Sequence, residues 1–272
     1  MISSASVYVD DAGRTFDEAQ GIADVPELPV PVPETQRTVE PGDATYSTKK
    51  RAIDVALLEN ARVPVVAVRP CAVYGPHDRL AREWFFVKRA LDRRPFVVLG
   101  DRGRSVFHTT AAANVGELVR AAVGREARGV FNCGDPDPPD VLAIARRITS
   151  VLSHECAEVL LPQPGGRGAV GQTPWSVAKP LVVDMSKAEI ELGYRPATEW
   201  SDAIDAQVEW LVEAARDRDW REVFPNGASY LRFDYAAEDD FVRGVIGGTE
   251  RRRPARGTHE EGRFRAPRGP CV

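Results

Sequence analysis

A chain of 272 residues, 43% apolar and with a formal charge of −4, can bury one substantial core or one and a half domains. Its mild acidity argues against nucleic acid as the main partner, and it holds no apolar stretch of about 18 residues, so no membrane span is expected. Residues 1–10 lack the basic region and apolar run of a signal peptide, and neither the cysteines at 71, 133, 156 and 271 nor the scattered histidines have metal-ligand or disulfide spacing, which predicts a cytoplasmic protein without a metal site.

The chain opens on Ser-Ser-Ala-Ser-Val-Tyr at residues 3–8. The 41 residues between Ser4 and Tyr46 hold Pro26, Pro29, Pro31, Pro33 and Pro41 with little periodicity, and read as a surface loop partly covering a site. Val63–Val68, an apolar run before Arg69 and Pro70, reads as a buried parallel strand. Residues 140–152 have helical spacing, with Asp140 as N-cap and Val141, Ile144, Ala145 and Ile148 on one face. Gly193 suits a left-handed cap, with Pro196 as the stop. Another helix is expected at 201–215, with Ala203, Val208, Trp210 and Leu211 among its apolar positions. Cys71 and Cys133 fall in core strands as buried free thiols. Gly165-Gly166-Arg167-Gly168 lies late in the chain and reads as a loop. Residues 226–247 read as a small terminal element, and 250–272, with seven arginines against three acids, as a disordered basic tail.

Tyr46 and Lys50 are an i, i+4 pair, which a helix places on one face. A free phenol titrates near 10, and a nearby ammonium favours the phenolate. With a hydroxyl to hold the substrate oxygen, this is equipment for moving a proton as a hydride leaves or arrives. Alone, such a pair is more often a solvated surface contact.

Three motifs in order change that reading. Residues 3–8, Tyr-Ser-Thr-Lys-Lys at 46–50 and Val-Val-Ala-Val-Arg-Pro-Cys-Ala-Val-Tyr-Gly-Pro at 65–76 together resemble the extended short-chain dehydrogenase/reductases, the NAD-dependent sugar-nucleotide epimerase/dehydratase family. The resemblance continues through Gly-Asp-Arg-Gly-Arg-Ser-Val-Phe-His at 100–108, the 129–134 segment, and Asp-Met-Ser-Lys-Ala at 184–188 with Leu-Gly-Tyr-Arg-Pro at 192–196, and covers about residues 1–225. It implies an α/β fold: a partial Rossmann-like doubly wound parallel sheet, its N-terminal strands missing, with a smaller C-terminal substrate-binding α/β region. The implied division is 1–75 for the nucleotide-binding part, 76–225 for the substrate region, 226–249 for a terminal element and 250–272 for the tail.

The resemblance assigns Ser4, Tyr46 and Lys50 as catalytic. It places Tyr46, Lys50, Pro70 and Val73 at an NAD or NADP cofactor, and Ser4, Tyr74 and Arg104 at the substrate. Gly75 and Pro76 continue that loop, or simply make a turn. Ser3 could be confused with Ser4, and Arg104 reads equally as a solvated arginine. His108 matches in position but is more often structural. Asn114 stands where a carboxylate is usual, as an N-cap or a hydrogen-bonding residue. Val9 replaces the usual Gly. Ala5-Ser6 after Ser4 lack a dehydratase's acid–base pair, which favours an epimerase or reductase. The implied partner is a small molecule, a nucleotide sugar by resemblance, with a homodimer through helix 45–60. No Gly-x-x-Gly-x-x-Gly segment occurs, so Met1 is expected to be an internal methionine of a longer protein and NAD to bind this chain poorly. The other reading is a catalytically inactive remnant or partner-binding scaffold.

Overall fold

The computed structural model describes residues 1–16, 19, 25–163 and 170–250, with backbone alone for 245–250. The glycine-rich segment 165–168 and the basic tail lie outside the described residues. Residues 1–234 form one compact unit, and the helix Tyr235–Glu250 belongs to a second.

Three parallel strand pairs carry the first unit. Strand β1 (Val66–Pro70) pairs with β5 (Gly129–Cys133), β2 (Ala72–Tyr74) with β4 (Thr109–Ala111), and β3 (Phe96–Leu99) with β6 (Ala157–Leu160). Ile2 bridges Val68 in parallel, so the chain start lies on the other side of β1 from β5. Parallel pairs need crossovers, which helices supply: α1 (Tyr46–Asn60), α2 (Trp84–Leu91), α3 (Ala112–Gly124), α4 (Val141–Val151), α5 (Ser186–Leu192) and α6 (Trp200–Ala214).

Successive residues of a strand point to opposite faces, and this shows that the sheet is wound on both sides. Val68, with its register partner Phe131, packs against Leu118 and Ala122 of α3 and Ala188 and Leu192 of α5. Its neighbour Arg69 points the other way and pairs with Asp54 of α1. A larger core joins α2, α4 and α6 around Phe86, Trp84, Trp175 and Ile144.

The sequence-predicted elements mostly recur. Asp140 caps α4 by accepting from the Ala143 N–H at 2.7 Å, and Val141, Ile144, Ala145 and Ile148 are its buried face. Gly193 takes φ 63° and ends α5 with Gly193 N–H bonded to Glu189 O. The strand expected at Val63–Val68 instead runs Val66–Pro70: Pro64 has no N–H to give a ladder, Val63 is exposed, and Arg69 is carried inside because it has a buried partner. The loop after Ser4 is not wholly a surface loop. Tyr8, Leu28 and Val32 pack with Leu181 and Val183 as a third small core. Among the described residues no helix is long and apolar enough to cross a membrane, and no group of His, Cys, Asp or Glu could hold a metal.

Candidate functional site

The chain start and α1 are built to meet. Ser4 caps a short 3-10 turn (Ala5–Val7), its Oγ accepting from the Ser6 N–H at 3.1 Å. Its O–H proton stays available to another acceptor. Ser3 is 2% exposed and its Oγ has no partner among the described residues, so of the two serines Ser4 is the accessible one. Helix α1 begins with a capping box: Thr45 accepts from the Thr48 N–H and Thr48 Oγ1 accepts from the Thr45 N–H. Tyr46 therefore opens the helix at its N-terminus, where the residue stands 54% exposed.

Two side chains of α1 reach back to the Ser4 segment. Ser47 Oγ donates to Ser6 O at 2.8 Å, and Lys50 Nζ donates to Ile2 O at 3.1 Å. Lys50 Nζ lies 5.6 Å from the Tyr46 ring centroid. The structure thus gathers Ser4, Tyr46 and Lys50 around the junction of α1 and the chain start. No hydrogen bond joins Ser4 to Tyr46 among the described residues.

The remaining predicted residues are placed as follows. Pro70 is buried at the end of β1 beside Cys133. Val73 is half-buried and its carbonyl accepts from Arg82 Nη1 at 3.3 Å. Tyr74, expected at the substrate, is 1% exposed within the large core, and burial followed by the charge of Asp135 pushes its phenol far up, so it stays neutral. Gly75 has φ 146°, and a Cβ there would lie 3.2 Å from the Ala112 Cβ, so β2 and α3 meet closely after it. Arg104 sits on an exposed turn where Asp101, Arg102 and Gly103 run at φ 48°, 53° and 73°. Its guanidinium is bonded to Asp101 Oδ1 at 3.0 Å, a carboxylate that competes with any phosphate for it.

His108 and Asn114 are structural. The Val183 N–H donates to His108 Nδ1 at 3.1 Å, so the ring proton is on Nε2, which donates to Asp135 O at 2.8 Å. Burial holds this imidazole below its ordinary value. Asn114 lies inside α3, not at its cap: Oδ1 accepts from the Ala197 and Thr198 N–H groups, and Nδ2 donates to Asp135 and to Thr198 O. Cys133 is buried and its thiol is pushed up to about 12 by burial; Cys71 is half-buried and also raised.

Sequence reasoning missed the buried pair Asp54–Arg69 and the buried carboxyls Asp135 and Glu83. Signals existed for the first pair. Asp54 continues the four-residue spacing of Tyr46 and Lys50, and an arginine inside an apolar strand demands an acidic partner.

No protein-family model matches the chain. It is 24% identical over 205 residues to UDP-glucuronate 4-epimerase 4 of Arabidopsis thaliana, a match covering 67% of this chain and 44% of that protein. Among solved structures it is similar to WbmG of Bordetella bronchiseptica in complex with NAD and UDP, with TM-score 0.56 and 21% identity over 78% of this chain and 59% of that one. The UDP-glucuronic acid 4-epimerase of Bacillus cereus, in complex with UDP-glucuronic acid and NAD, gives TM-score 0.51 and 20% identity over 77% and 59%. The chain thus spans less than half the length of that curated relative, and the likeness to the solved structures is one of fold.

Proposed function

From the premise that this chain carries the fold of the extended short-chain dehydrogenase/reductases, the NAD-dependent epimerase/dehydratase family, we propose that it serves an NAD(P)-dependent oxidation of a sugar-nucleotide hydroxyl, in an epimerase or reductase. One observation carries the reading: Tyr46 opens α1 at an exposed position while Ser47 and Lys50 tie that helix to the Ser4 segment. The residues suit the ribose end of a dinucleotide. The ammonium of Lys50 spends one of its three donors on Ile2 O, leaving the others for a diol, and lies 5.6 Å from the centre of the Tyr46 ring. When bound, the nicotinamide accepts or returns the hydride. Tyr46 takes the proton from the sugar hydroxyl as the carbon gives up hydride, so alcohol becomes ketone with atoms and electrons balanced. Lys50 keeps its charge on the side of the Tyr46 ring, and the free proton of Ser4 holds the reacting oxygen. A hydride given back to the opposite face would invert the carbon. Ala5 and Ser6 supply no second acid–base pair, which disfavours elimination.

The relatives' complexes with NAD, UDP and UDP-glucuronic acid support this cofactor and substrate class. The exposed Ile53 and Leu57 of α1 support a homodimer through that helix. The test is turnover of UDP-glucuronic acid with NAD by the protein and its Tyr46→Phe variant. Loss in the variant supports the assignment, and undiminished turnover refutes it. A second reading, binding without turnover, is favoured by the engagement of Lys50 with Ile2 O in place of the phenol; a protein that turns over refutes it.

A further inference from the structure

Helix α1 turns a polar stripe toward the rest of the protein. Its buried residues are Ser47 and Asp54, and Lys50 lies between them at i+3 and i+7 spacing. Ile53 and Leu57, the apolar side chains that would normally seat a helix, stay 47% and 38% exposed. Ala52, Val55 and Leu58 are only half-buried, so the fully buried contacts of α1 are polar ones. Polar contacts help to fix where α1 sits along β1: Ser47 on Ser6 O, Lys50 on Ile2 O, and the Asp54 carboxylate on Arg69 Nη2 at 2.9 Å. The last is the only one of the three made between two buried charges, at 0% and 3% exposure. It is also the one that cannot be exchanged for a water contact.

Arg69 has a second neighbour. Its guanidinium lies 5.0 Å from the Tyr8 ring centroid. Tyr8 follows Ser4 by four residues, and its hydroxyl donates to Asn132 Oδ1 at 2.6 Å on β5. Burial pushes that phenol up to about 12, so it remains a neutral donor.

We propose that Asp54 and Arg69 are a positioning pair for the site. Arg69 holds the helix of Tyr46 and Lys50 through the Asp54 carboxylate, and the Ser4 segment through the face of Tyr8, so both halves of the site hang on one guanidinium. The inference rests on the reading of Ser4, Tyr46 and Lys50 given above. A one-residue slip of α1 turns it by about 100° and would carry Lys50 off Ile2 O.

The test reads Lys50 directly and needs no turnover. The full chain is methylated with formaldehyde and cyanoborohydride, and each lysine is followed by mass spectrometry. Lys49, exposed next door, is the internal reference. Lys187, which donates to Val130 O at 2.8 Å, reports general loosening. Two variants are compared with the wild type. Asp54→Leu with Arg69→Met removes both charges and keeps an apolar pair of similar bulk, a replacement that folded proteins tolerate. Asp54→Asn keeps the shape alone. In either variant that retains the wild-type circular dichroism, Lys50 labelling relative to Lys49 should rise roughly threefold, the factor for freeing one modest hydrogen bond, while Lys187 stays unchanged. Asp54→Glu should restore part of the protection. Unchanged Lys50 labelling in a folded variant overturns the proposal, and so does equal acceleration of Lys50 and Lys187, the mark of a merely structural role. The two failures are separable. Activity retained in Tyr46→Phe defeats the reading of the site, whereas an inactive Tyr46→Phe with unaltered Lys50 labelling in the Asp54 variants defeats the positioning pair.

Discussion

Glu83 stands immediately before α2 at 2% exposure, and Gln207 of α6 donates to it from Nε2 at 3.3 Å. Burial first, and the neighbouring Asp78 second, raise its carboxyl from 4.5 to about 7, against the weaker pull of Arg82 and Gln207. Among the described residues the Gln207 Oε1 atom has no partner, and a protonated Glu83 supplies the O–H that would satisfy it. Because the folded state holds this proton more tightly than the unfolded chain, stability is greatest below the unfolded value and falls as pH rises through the folded one. At about 1.4 kcal/mol per tenfold change, ionising Glu83 above pH 7 costs the folded state about 3 kcal/mol. Glu83→Gln keeps the shape, accepts from Gln207 and offers a permanent donor, so it removes that cost. Urea titrations of both proteins at pH 5 and pH 8.5 should show the variant gaining on the wild type by about 2–3 kcal/mol between the two, or about 4–12 °C in melting temperature. Opposite slopes from other groups, His108 among them, cancel in the difference. If the gap between variant and wild type is the same at both pH values, Glu83 does not titrate as argued.

Other substitutions probe the frame of the site. A Cβ at Gly134 would lie 2.3 Å from the His108 ring, so Gly134→Ala should displace the imidazole from Asp135 O and cost about 1–3 kcal/mol in thermal melts; an unchanged melt refutes the close approach. Asp140→Ala removes the α4 cap and should cost about 1 kcal/mol, with Asp140→Asn recovering most of it in the same denaturation assay. Asn114→Ala removes the buried amide that accepts from the Ala197 and Thr198 N–H groups and should cost about 1–3 kcal/mol; a loss below that of Asp140→Ala would contradict the clamp. His108 is held neutral by burial, so stability carried by the neutral ring is full above about pH 6.5 and is lost as pH falls through its lowered folded value, which a pH series of melts on Glu83→Gln would expose.

Elements whose cause is local were readable from the sequence. Asp140 before an apolar 3.6-residue pattern, Gly193 before Pro196, and Tyr46 with Lys50 on a helix each need only their neighbours in the chain. What was not readable came from partners distant in the sequence. The β1 strand shifted toward Pro70 because Asp54, 15 residues earlier, takes the charge of Arg69. Tyr74 looked like a lining residue by its motif and is a core residue because α2, α4 and α6 close over it. The proline-rich stretch after Ser4 lacked periodicity, yet Val32 bridges Val183, a pairing 151 positions away that no local pattern encodes. The gathering of Ser4, Tyr46 and Lys50 followed from motif order alone. The groups holding them in register did not.

The contact of Lys50 with Ile2 bears on how any inactive variant is made. The ladder bonds to Val68 use Met1 O and Ser3 N–H, so the Ile2 carbonyl faces away from β1. Among the described residues no strand takes that outward side, and an ammonium covers it instead. A strand with bare outward groups is a template for another chain, and a lysine there is a guard against it. On the proposed reading, Lys50→Met, the obvious inactive control, would silence the proton chemistry and unguard the strand in one step, so any loss of turnover would arrive mixed with self-association. Lys50→Arg keeps a cation over Ile2, and light scattering recorded beside activity for the two variants separates a silenced site from a sticky protein.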